Sequence, residues 1–403
     1  MIRLGVIGAG GRGRIAKLAH RPEAGVEIAV ACDTNEAVFD EYRQLCGSGL
    51  VTTHDWLEVV DRDDLDAIFI ATPDFLHEAQ AIAALDAGKI VYLEKPLAIT
   101  IEGCDRVLAA ADRGSGRLYV GHNMRFFPVM QKMKQIIDAG TIGDVQAIWC
   151  RHFVDYGGDA YFKDWHSEQR YSTGLLLQKG AHDIDMIHWF AGGYTQRTVG
   201  MGKLSVYNRV QNRRKADEYV SAVANEAHWP PLSQAGFSPI IDVEDHSMML
   251  MQLDNGVQAS YQQCHYTPDG HRNYTIIGTQ GRIENIGCNS TDEHPAHIQL
   301  WTKRCGASIN NYETITVPPV PGSHGGADPQ IIDDFLNFIR TGQSRGACPL
   351  DARMSVAAGV MATCSLRQNN QPYDVPRSPC LQQNERASAT LFPSRASISR
   401  AKL

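Results

Sequence analysis

The stretch GVIGAGGRG at residues 5–13 decides the fold. It follows an apolar, strand-like segment, Arg3–Ile7, and precedes a helical stretch, so its glycines form a G-x-G-x-x-G turn between strand and helix. In such a turn the first glycine permits a tight bend, the second lets the backbone approach a pyrophosphate, and the third lets helix and strand pack closely. The helix N-terminus then offers free N–H groups to phosphate oxygens. The loop is predicted to bind a dinucleotide through Gly8, Gly10, Gly11, Arg12 and Gly13.

The second predicted strand, Ile28–Cys32, ends directly before Asp33, which lies 20 residues after Gly13. A carboxylate at this position accepts hydrogen bonds from the adenine-ribose hydroxyls and repels a 2′-phosphate. Asp33 therefore favours NAD as the cofactor, with NADP the less favoured alternative, which the adjacent Thr34 and nearby Arg12 leave open.

Strands alternate with helical patterns through the first 120 residues, which is typical of parallel βαβ units. Later in the chain, predicted strands follow one another and the helices are separate from them, which indicates an antiparallel sheet. We predict an α/β N-terminal Rossmann domain (1–124), an α+β C-terminal domain with a largely antiparallel open sheet for substrate binding and oligomerisation (125–376), and a disordered tail (377–403). The predicted strands are Ala67–Ala71, Ile90–Leu93, Leu118–Val120, Val145–Val154, Met248–Leu253, Gln258–His265 and Tyr274–Gly278, and the predicted helices are Phe75–Ala87, Glu102–Asp112, Gly174–Phe190, Gln330–Arg340 and Ala352–Arg367.

The composition is that of an ordinary globular enzyme, with 403 residues, 38 Lys and Arg, 45 Asp and Glu, and a net charge of −7. A mildly acidic chain without a long basic run is a poor nucleic-acid binder. Its apolar runs are far shorter than the roughly 20 residues of a membrane span. The ten cysteines contain no Cys-x-x-Cys pair, so we expect reduced thiols and no zinc site. We expect no secretory leader, no membrane or nucleic-acid partner, and a cytoplasmic location.

The segment YLEKP at residues 92–96 places Lys95 at the end of a predicted strand. Ligands of doubly wound sheets bind at the carboxyl ends of the strands, so Lys95 is expected at the cofactor crevice. Its ammonium could bind a substrate hydroxyl and help that group lose a proton. The alternative is an ordinary solvated lysine, against which the flanking Glu94 and Pro96 argue.

Four segments together resemble the Gfo/Idh/MocA oxidoreductases: GVIGAGGRG, ATPDFLH at 71–77, AGKIVYLEKPLA at 87–98 and GAHDIDMIHWF at 180–190. The resemblance extends from residue 1 to about residue 376. It implies nicotinamide chemistry on sugars or cyclitols and assembly as a homodimer or homotetramer. It also implies that Lys95 is the catalytic lysine and contacts the cofactor, that Thr72, Pro73 and His77 line the cofactor, and that Glu94 lies near the nicotinamide ribose.

The second catalytic candidate is His182, on the predicted helix Gly174–Phe190. A histidine can accept a hydroxyl proton near neutral pH. The alternatives are a structural histidine bonded to a carboxylate, or a metal ligand together with Asp185, for which no third ligand is evident; we therefore predict no metal. Many members of the similar family place an Asp four residues before this histidine, where this chain has Gln178. Lys95 and His182 would then manage the proton alone, or with help from Asp183 or Asp185.

Polar and aromatic residues near the expected crevice suit a polyhydroxylated ring, which has an apolar face to stack on and hydroxyls to bind. Asn123, after the strand Leu118–Val120, is expected at the nicotinamide edge. The predicted substrate residues are Arg125, Tyr156, Trp165 and Asp185.

Three functions remain open from the sequence. The first is an NAD-dependent oxidoreductase that acts on a secondary alcohol of a sugar, glycoside or cyclitol. The second is a redox-neutral, NAD-retaining enzyme that cleaves glycosides by oxidation and elimination; the segments HGGAD at 324–328 and EDH at 244–246 resemble that branch. The third is a non-catalytic NAD-binding regulator. The final tripeptide Ala401-Lys402-Leu403 resembles a peroxisomal address, which leaves that compartment open for a eukaryotic source.

Overall fold

The computed structural model describes residues 1–114, 116–216, 218, 224–308 and 312–379. Its first sheet has six parallel strands in the order β3-β2-β1-β4-β5-β6. The order reverses between β1 and β4, and the crevice at the carboxyl ends of these strands is the usual ligand position of such sheets. The predicted Rossmann architecture is confirmed. The strands are β1 (Ile2–Ile7), β2 (Val26–Cys32), β3 (Val51–Thr53), β4 (Ala67–Ile70), β5 (Ile90–Glu94) and β6 (Arg117–Gly121).

Helices cover both faces of this sheet. The glycine turn continues as a 3-10 helix, Gly11–Ala19, and the predicted helix at Phe75 begins with a 3-10 turn. Thr100 begins α4 because its hydroxyl accepts a hydrogen bond from the Gly103 N–H at 2.9 Å, which satisfies a free N–H of the first turn. The α-helices of this domain are α1 (Phe39–Cys46), α2 (Trp56–Val60), α3 (His77–Asp86) and α4 (Ile101–Arg113).

The second sheet has nine strands in the order β14-β13-β12-β11-β7-β10-β9-β8-β15. Among the described strand pairings of this second sheet, only β7–β10 is parallel, so the prediction of a largely antiparallel sheet is confirmed. Alternate residues of β7 are buried, as expected for a sheet with one face covered by helices. The strands are β7 (Val145–Phe153), β8 (Thr195–Lys203), β9 (His246–Leu253), β10 (Gln258–Cys264), β11 (His271–Gly278), β12 (Arg282–Ile286), β13 (His297–Trp301), β14 (Glu313–Thr316) and β15 (Tyr373–Asp374).

The helices of the second domain pack on this sheet and on the first domain. The prediction of one continuous helix over Gly174–Phe190 is wrong, because an interruption at Lys179 separates α8 from α9. The domains are tied together by the Arg117 guanidinium, which donates to carbonyl oxygens of α10, and by an ion pair from Arg353 of α11 to Asp105 of α4. The helices are α5 (Pro128–Asp138), α6 (Gly157–Tyr161), α7 (Gln169–Ser172), α8 (Leu175–Gln178), α9 (Gly180–Ala191), α10 (Ala327–Thr341) and α11 (Pro349–Arg367).

Within the described part of the chain, no helix has the length and apolar character needed to cross a membrane. The same residues contain no group of three His, Cys, Asp or Glu side chains placed to hold a metal ion. The predicted boundary at residues 124 and 125 falls in a 3-10 turn, Asn123–Phe126, between β6 and α5. Most of the predicted tail, residues 380–403 with the terminal tripeptide, lies outside the described residues.

Candidate active site

The glycine loop leaves no room for side chains at its first and third glycines. Gly8 has a φ of +79°, and a Cβ there would lie 2.8 Å from the backbone of Ala71 at the end of β4. A Cβ on Gly13 would lie 1.8 Å from the Gly8 carbonyl oxygen. Glycine is therefore required for the turn to pass this closely to β4 and to its own helix. This cradle of bare backbone fits a dinucleotide pyrophosphate.

Asp33 lies where β2 ends, directly beside the loop. Its Oδ2 accepts a hydrogen bond from the Gly10 N–H at 2.8 Å, and its Oδ1 accepts one from the Asn35 N–H at 2.9 Å. Each carboxylate oxygen has a further lone pair, so the group can still accept from ribose hydroxyls. The position fits the predicted preference for an unphosphorylated adenine ribose.

Arg12 connects the glycine loop to the rest of the crevice. Its Nε donates to Glu94 Oε1 at 2.8 Å, and its Nη1 lies 2.8 Å from Asp328 Oδ1 at the start of α10. Asn123 donates to the same Asp328 oxygen at 3.3 Å. Three predicted cofactor residues, Arg12, Glu94 and Asn123, thus form one buried network. Asp328, which the sequence reasoning assigned no role of its own, is its centre.

The loop after β4 is hydrogen-bonded to the side chain of His77. This histidine is buried, with Nδ1 at 2.7 Å from the Pro96 carbonyl oxygen and Nε2 at 2.9 Å from the Thr72 carbonyl oxygen. Thr72 donates its hydroxyl proton to Gln80 at 2.6 Å. His77 therefore positions Thr72 and Pro73 relative to the turn that carries Lys95, and its ring nitrogens are occupied by backbone.

Lys95 follows β5 at the carboxyl edge of the first sheet, as predicted. Its Nζ donates to the main-chain carbonyl oxygen of Gln178 at 3.2 Å, at the interruption between α8 and α9. Burial lowers the pKa of the Lys95 ammonium, while the neighbouring Asp74 carboxylate opposes this shift. Asp74 is itself buried, and burial raises the pKa of its carboxyl group.

His182 faces this same lysine from the first turn of α9. Burial lowers the pKa of its imidazole well below the usual value, and the positive charge of Lys95 adds to the shift. Its Nδ1 is buried without a hydrogen-bond partner among the described residues, and the His122 ring lies 6.1 Å away. His182 is consequently neutral at pH 7 and free to accept a hydrogen bond. His122 is also buried, with its Nδ1 3.5 Å from Asp185 Oδ2, and the sequence reasoning gave it no individual role.

Two predicted substrate residues, Arg125 and Asp185, are bonded to each other. Arg125 donates to both Asp185 oxygens, at 2.9 and 2.7 Å, and lies 3.3 Å from Asp351. Asp185 is fully buried. This bidentate pair connects the turn after β6 to α9, and the Asp185 carboxylate is occupied by the guanidinium rather than free for a substrate.

The other two predicted substrate residues, Tyr156 and Trp165, are partly exposed, and their contact with a substrate stays a prediction. The Tyr156 hydroxyl accepts a hydrogen bond from Lys179 Nζ at 3.0 Å, and Lys179 lowers the pKa of the Tyr156 phenol. Trp165 stacks on His166 with ring centroids 3.7 Å apart, and its edge meets Phe75 of the first domain at 6.1 Å. Lys179 was missed by the sequence reasoning, and its one signal was its place beside Gln178.

Comparison with known proteins supplies the family. The family described as "Oxidoreductase family, NAD-binding Rossmann fold" matches residues 2–122, and "Oxidoreductase family, C-terminal alpha/beta domain" matches residues 134–375. The chain belongs to the Gfo/Idh/MocA oxidoreductase family. The predicted resemblance and the predicted NAD cofactor are thereby confirmed.

Individual relatives are distant. An inositol 2-dehydrogenase/D-chiro-inositol 3-dehydrogenase of Halalkalibacterium halodurans is 30% identical, with 47% of this chain and 52% of that protein matched. A 1-carboxy-3-chloro-3,4-dihydroxycyclo hexa-1,5-diene dehydrogenase of Comamonas testosteroni is 28% identical over 71% of this chain and 62% of its own. An alpha-N-acetylgalactosaminidase of Shewanella oneidensis is 23% identical over 93% of this chain and 84% of its own. The solved structure of a levoglucosan dehydrogenase with NADH and levoglucosan has the same fold, with a TM-score of 0.75, 21% identity, and coverage of 93% of this chain and 100% of that one.

Proposed function

We propose that this protein oxidises a secondary alcohol of a sugar, glycoside or cyclitol, with Lys95 and His182 handling the hydroxyl proton. The observation that carries the proposal is the hydrogen bond from the Lys95 ammonium to the Gln178 carbonyl oxygen, directly before the helix turn that carries His182. Lys95 comes from the first domain and His182 from the second, and the Lys95 charge acts directly on the His182 imidazole. NAD, when bound in the adjoining crevice, supplies the hydride acceptor.

The two groups divide the work on the hydroxyl. The Lys95 ammonium donates a hydrogen bond to the substrate oxygen and stabilises negative charge that develops there. The neutral His182 imidazole accepts the hydroxyl proton. Because burial and the Lys95 charge disfavour the protonated imidazole, His182 is neutral before the reaction and available as the proton acceptor. Gln178 takes part through its main-chain oxygen, which fixes the Lys95 ammonium.

The cleft around these groups fits a polyhydroxylated ring. Trp165 and Tyr156 are both partly exposed and offer aromatic surfaces. The relatives named for inositols support a cyclitol or sugar as the substrate class. The cytoplasmic location and the homodimeric or homotetrameric assembly stay predictions; light scattering on the purified protein tests the assembly.

A panel experiment tests the proposal. Purified protein is incubated with NAD⁺ and a set of inositols, sugars and sugar acids, and NADH formation is followed by its absorbance. We expect at least one secondary alcohol to be oxidised, with NAD⁺ preferred to NADP⁺. Lys89→Met is the matched control for Lys95→Met. Lys89 directly precedes β5, whereas Lys95 directly follows it, and the Lys89 ammonium bonds only carbonyl oxygens among the described residues. If no compound yields NADH, the proposal fails.

A redox-neutral glycosidase is the second candidate. It is favoured by the alpha-N-acetylgalactosaminidase relative, whose match extends over 93% of this chain. An aryl glycoside panel separates the two candidates. Release of the aryl group without added NAD⁺ and without net NADH supports the glycosidase, whereas steady NADH production supports the dehydrogenase.

A further inference from the structure

Lys179 is a buried ammonium group without a carboxylate partner. Only 8% of the residue is exposed, and its Nζ donates a hydrogen bond to the Tyr156 hydroxyl oxygen at 3.0 Å. Where the structure is described, it forms no ion pair, and its Nζ lies 5.4 Å from the ring centroids of Tyr156 and Tyr161. The equally buried Lys89 also forms no ion pair there, but its ammonium donates to two carbonyl oxygens, at 2.6 and 3.0 Å. The comparably buried Lys163 is paired with Asp159, and Arg125 with Asp185. A buried charge without a counter-charge is unfavourable, so proteins normally pair it.

The carboxylates of the surrounding site act on Lys95 and Arg272, whereas the groups that act most on Lys179 are two tyrosines and Arg272. Lys95 and Lys179 both lie near His182, and each lowers the pKa of its imidazole. Asp74 is the carboxylate that acts most on Lys95. Arg272 also faces this region, but its Nε lies 3.2 Å from Asp183, which balances its charge. Among the described residues, the Lys179 ammonium therefore has a phenol oxygen and two aromatic rings as its contacts but no carboxylate, which leaves it able to bind one on a ligand.

The Tyr156 hydroxyl group connects the buried Lys179 ammonium to a partly exposed position. The residue is 37% exposed, and its hydroxyl oxygen accepts from Lys179 while its own proton has no acceptor among the described residues. A carboxylate placed here would accept one hydrogen bond from the ammonium and another from the phenol. Charge-assisted bonds of this kind are the strongest in proteins.

We propose that Lys179 and Tyr156 form a subsite for a carboxylate on the substrate, so that the alcohol oxidised belongs to an acidic sugar or an acidic cyclitol. This inference rests on the proposed function for the identity of the ring. A relative whose printed name describes a carboxylated dihydroxy ring, the Comamonas testosteroni dehydrogenase, is consistent with it.

The test compares acids with their neutral counterparts in the complex with NADH, where no turnover occurs. The binding of D-glucuronate and D-glucose, and of D-galacturonate and D-galactose, is measured by calorimetry. For at least one pair we expect the acid to bind roughly 10- to 100-fold more tightly, as two charge-assisted hydrogen bonds predict. Lys179→Met should remove this preference, Lys179→Arg should keep part of it, and Tyr156→Phe should reduce it.

Lys89→Met is the control, because Lys89 is also 8% exposed and lies at the other end of β5. It should leave the preference for the acid intact. Thermal melting of each variant with NADH verifies folding, and Tyr156→Phe, at a partly exposed position, provides a second test if Lys179→Met does not fold.

Two outcomes overturn the proposal: equal binding of the acid and the neutral member in both pairs, including no binding by either, or a preference that survives Lys179→Met. The calorimetry is independent of oxidation. A Lys179-dependent preference for acids without any NADH formation would refute the proposed function and leave the subsite standing. Oxidation of neutral sugars with no preference for acids would refute the subsite alone.

Discussion

Replacing Lys95 with methionine should separate catalysis from cofactor binding. The one described hydrogen bond of the Lys95 side chain goes to the Gln178 carbonyl oxygen, and none goes to the glycine loop or to Asp33. Removing a positioned acid–base group lowers a rate by on the order of 10² to 10⁴, which corresponds to about 3 to 5 kcal/mol of barrier. NAD⁺ affinity should change little.

Gln178→Ala tests whether the main chain or the side chain of residue 178 positions Lys95. The contact that fixes Lys95 is made by the main chain, so alanine preserves it. What alanine removes is an amide bonded to the Asp74 carboxyl group, and a neutral hydrogen bond contributes about 1 kcal/mol, or roughly a fivefold change in rate. His182→Ala, which removes the proton acceptor itself, should lower the rate as much as Lys95→Met does.

The assay measures single-turnover NADH formation at saturating NAD⁺, beside NAD⁺ affinity by calorimetry. Melting temperatures are needed because Lys95→Met leaves Asp74 buried without its nearest positive charge. Near-normal turnover by Lys95→Met or by His182→Ala in a folded protein would refute the assignment. A loss in Gln178→Ala as large as that in His182→Ala would show that the side chain, not the carbonyl, does the positioning.

Three further outcomes follow from the contacts. Asp33→Ala should narrow the preference for NAD⁺ over NADP⁺ in a binding titration, since the carboxylate that would repel a 2′-phosphate is gone; comparable NADP⁺ binding by the unmodified protein would contradict this. Arg125→Met or Asp185→Leu alone should lower the free energy of unfolding by about 3 to 5 kcal/mol, because each single change leaves a buried charge unpaired. The double variant should lose less than the sum of the two single losses. Denaturant titration measures these free energies. Burial lowers the pKa of His188 from 6.5 to about 4, so as the pH falls below 6.5 the unfolded chain is protonated first and the free energy of unfolding decreases. In His188→Gln the decrease in this free energy between pH 6.5 and 5 should be smaller by roughly 2 kcal/mol. The same pH dependence of stability in the variant and the unmodified protein would contradict this.

The fold could be predicted largely from the sequence because its strongest signals are local. A glycine turn between an apolar strand and a helix is visible in nine residues, and the buried parallel strands are short apolar runs. The strands that were missed are short, polar or at a sheet edge, such as β3 and β14, where Glu313–Thr316 has no buried residue. Their pairing depends on a neighbouring strand and not on their own pattern.

The site could be predicted only where each residue carries its own signal. Lys95 and His182 lie in recognisable local patterns, whereas the pairing of Arg125 with Asp185 depends on how α9 packs against the turn after β6. Helical spacing put Asp185 beside His182, but it does not reveal that both carboxylate oxygens are used by an arginine 60 residues earlier. Asp328 and Lys179 were missed for the same reason, since their partners are distant in the chain.

The glutamine at position 178 affects the charge around His182. The similar family commonly has an Asp four residues before the catalytic histidine, and this chain has a neutral amide there followed by a buried lysine. An aspartate at position 178 would offset the charges of Lys95 and Lys179 and raise the pKa of His182. With glutamine, no carboxylate at this position offsets the two lysines, and His182 stays neutral. The charges of the two lysines are better compensated when an anionic ligand is bound than when the site is empty. Both the glutamine at position 178 and the unpaired Lys179 therefore favour an acidic substrate.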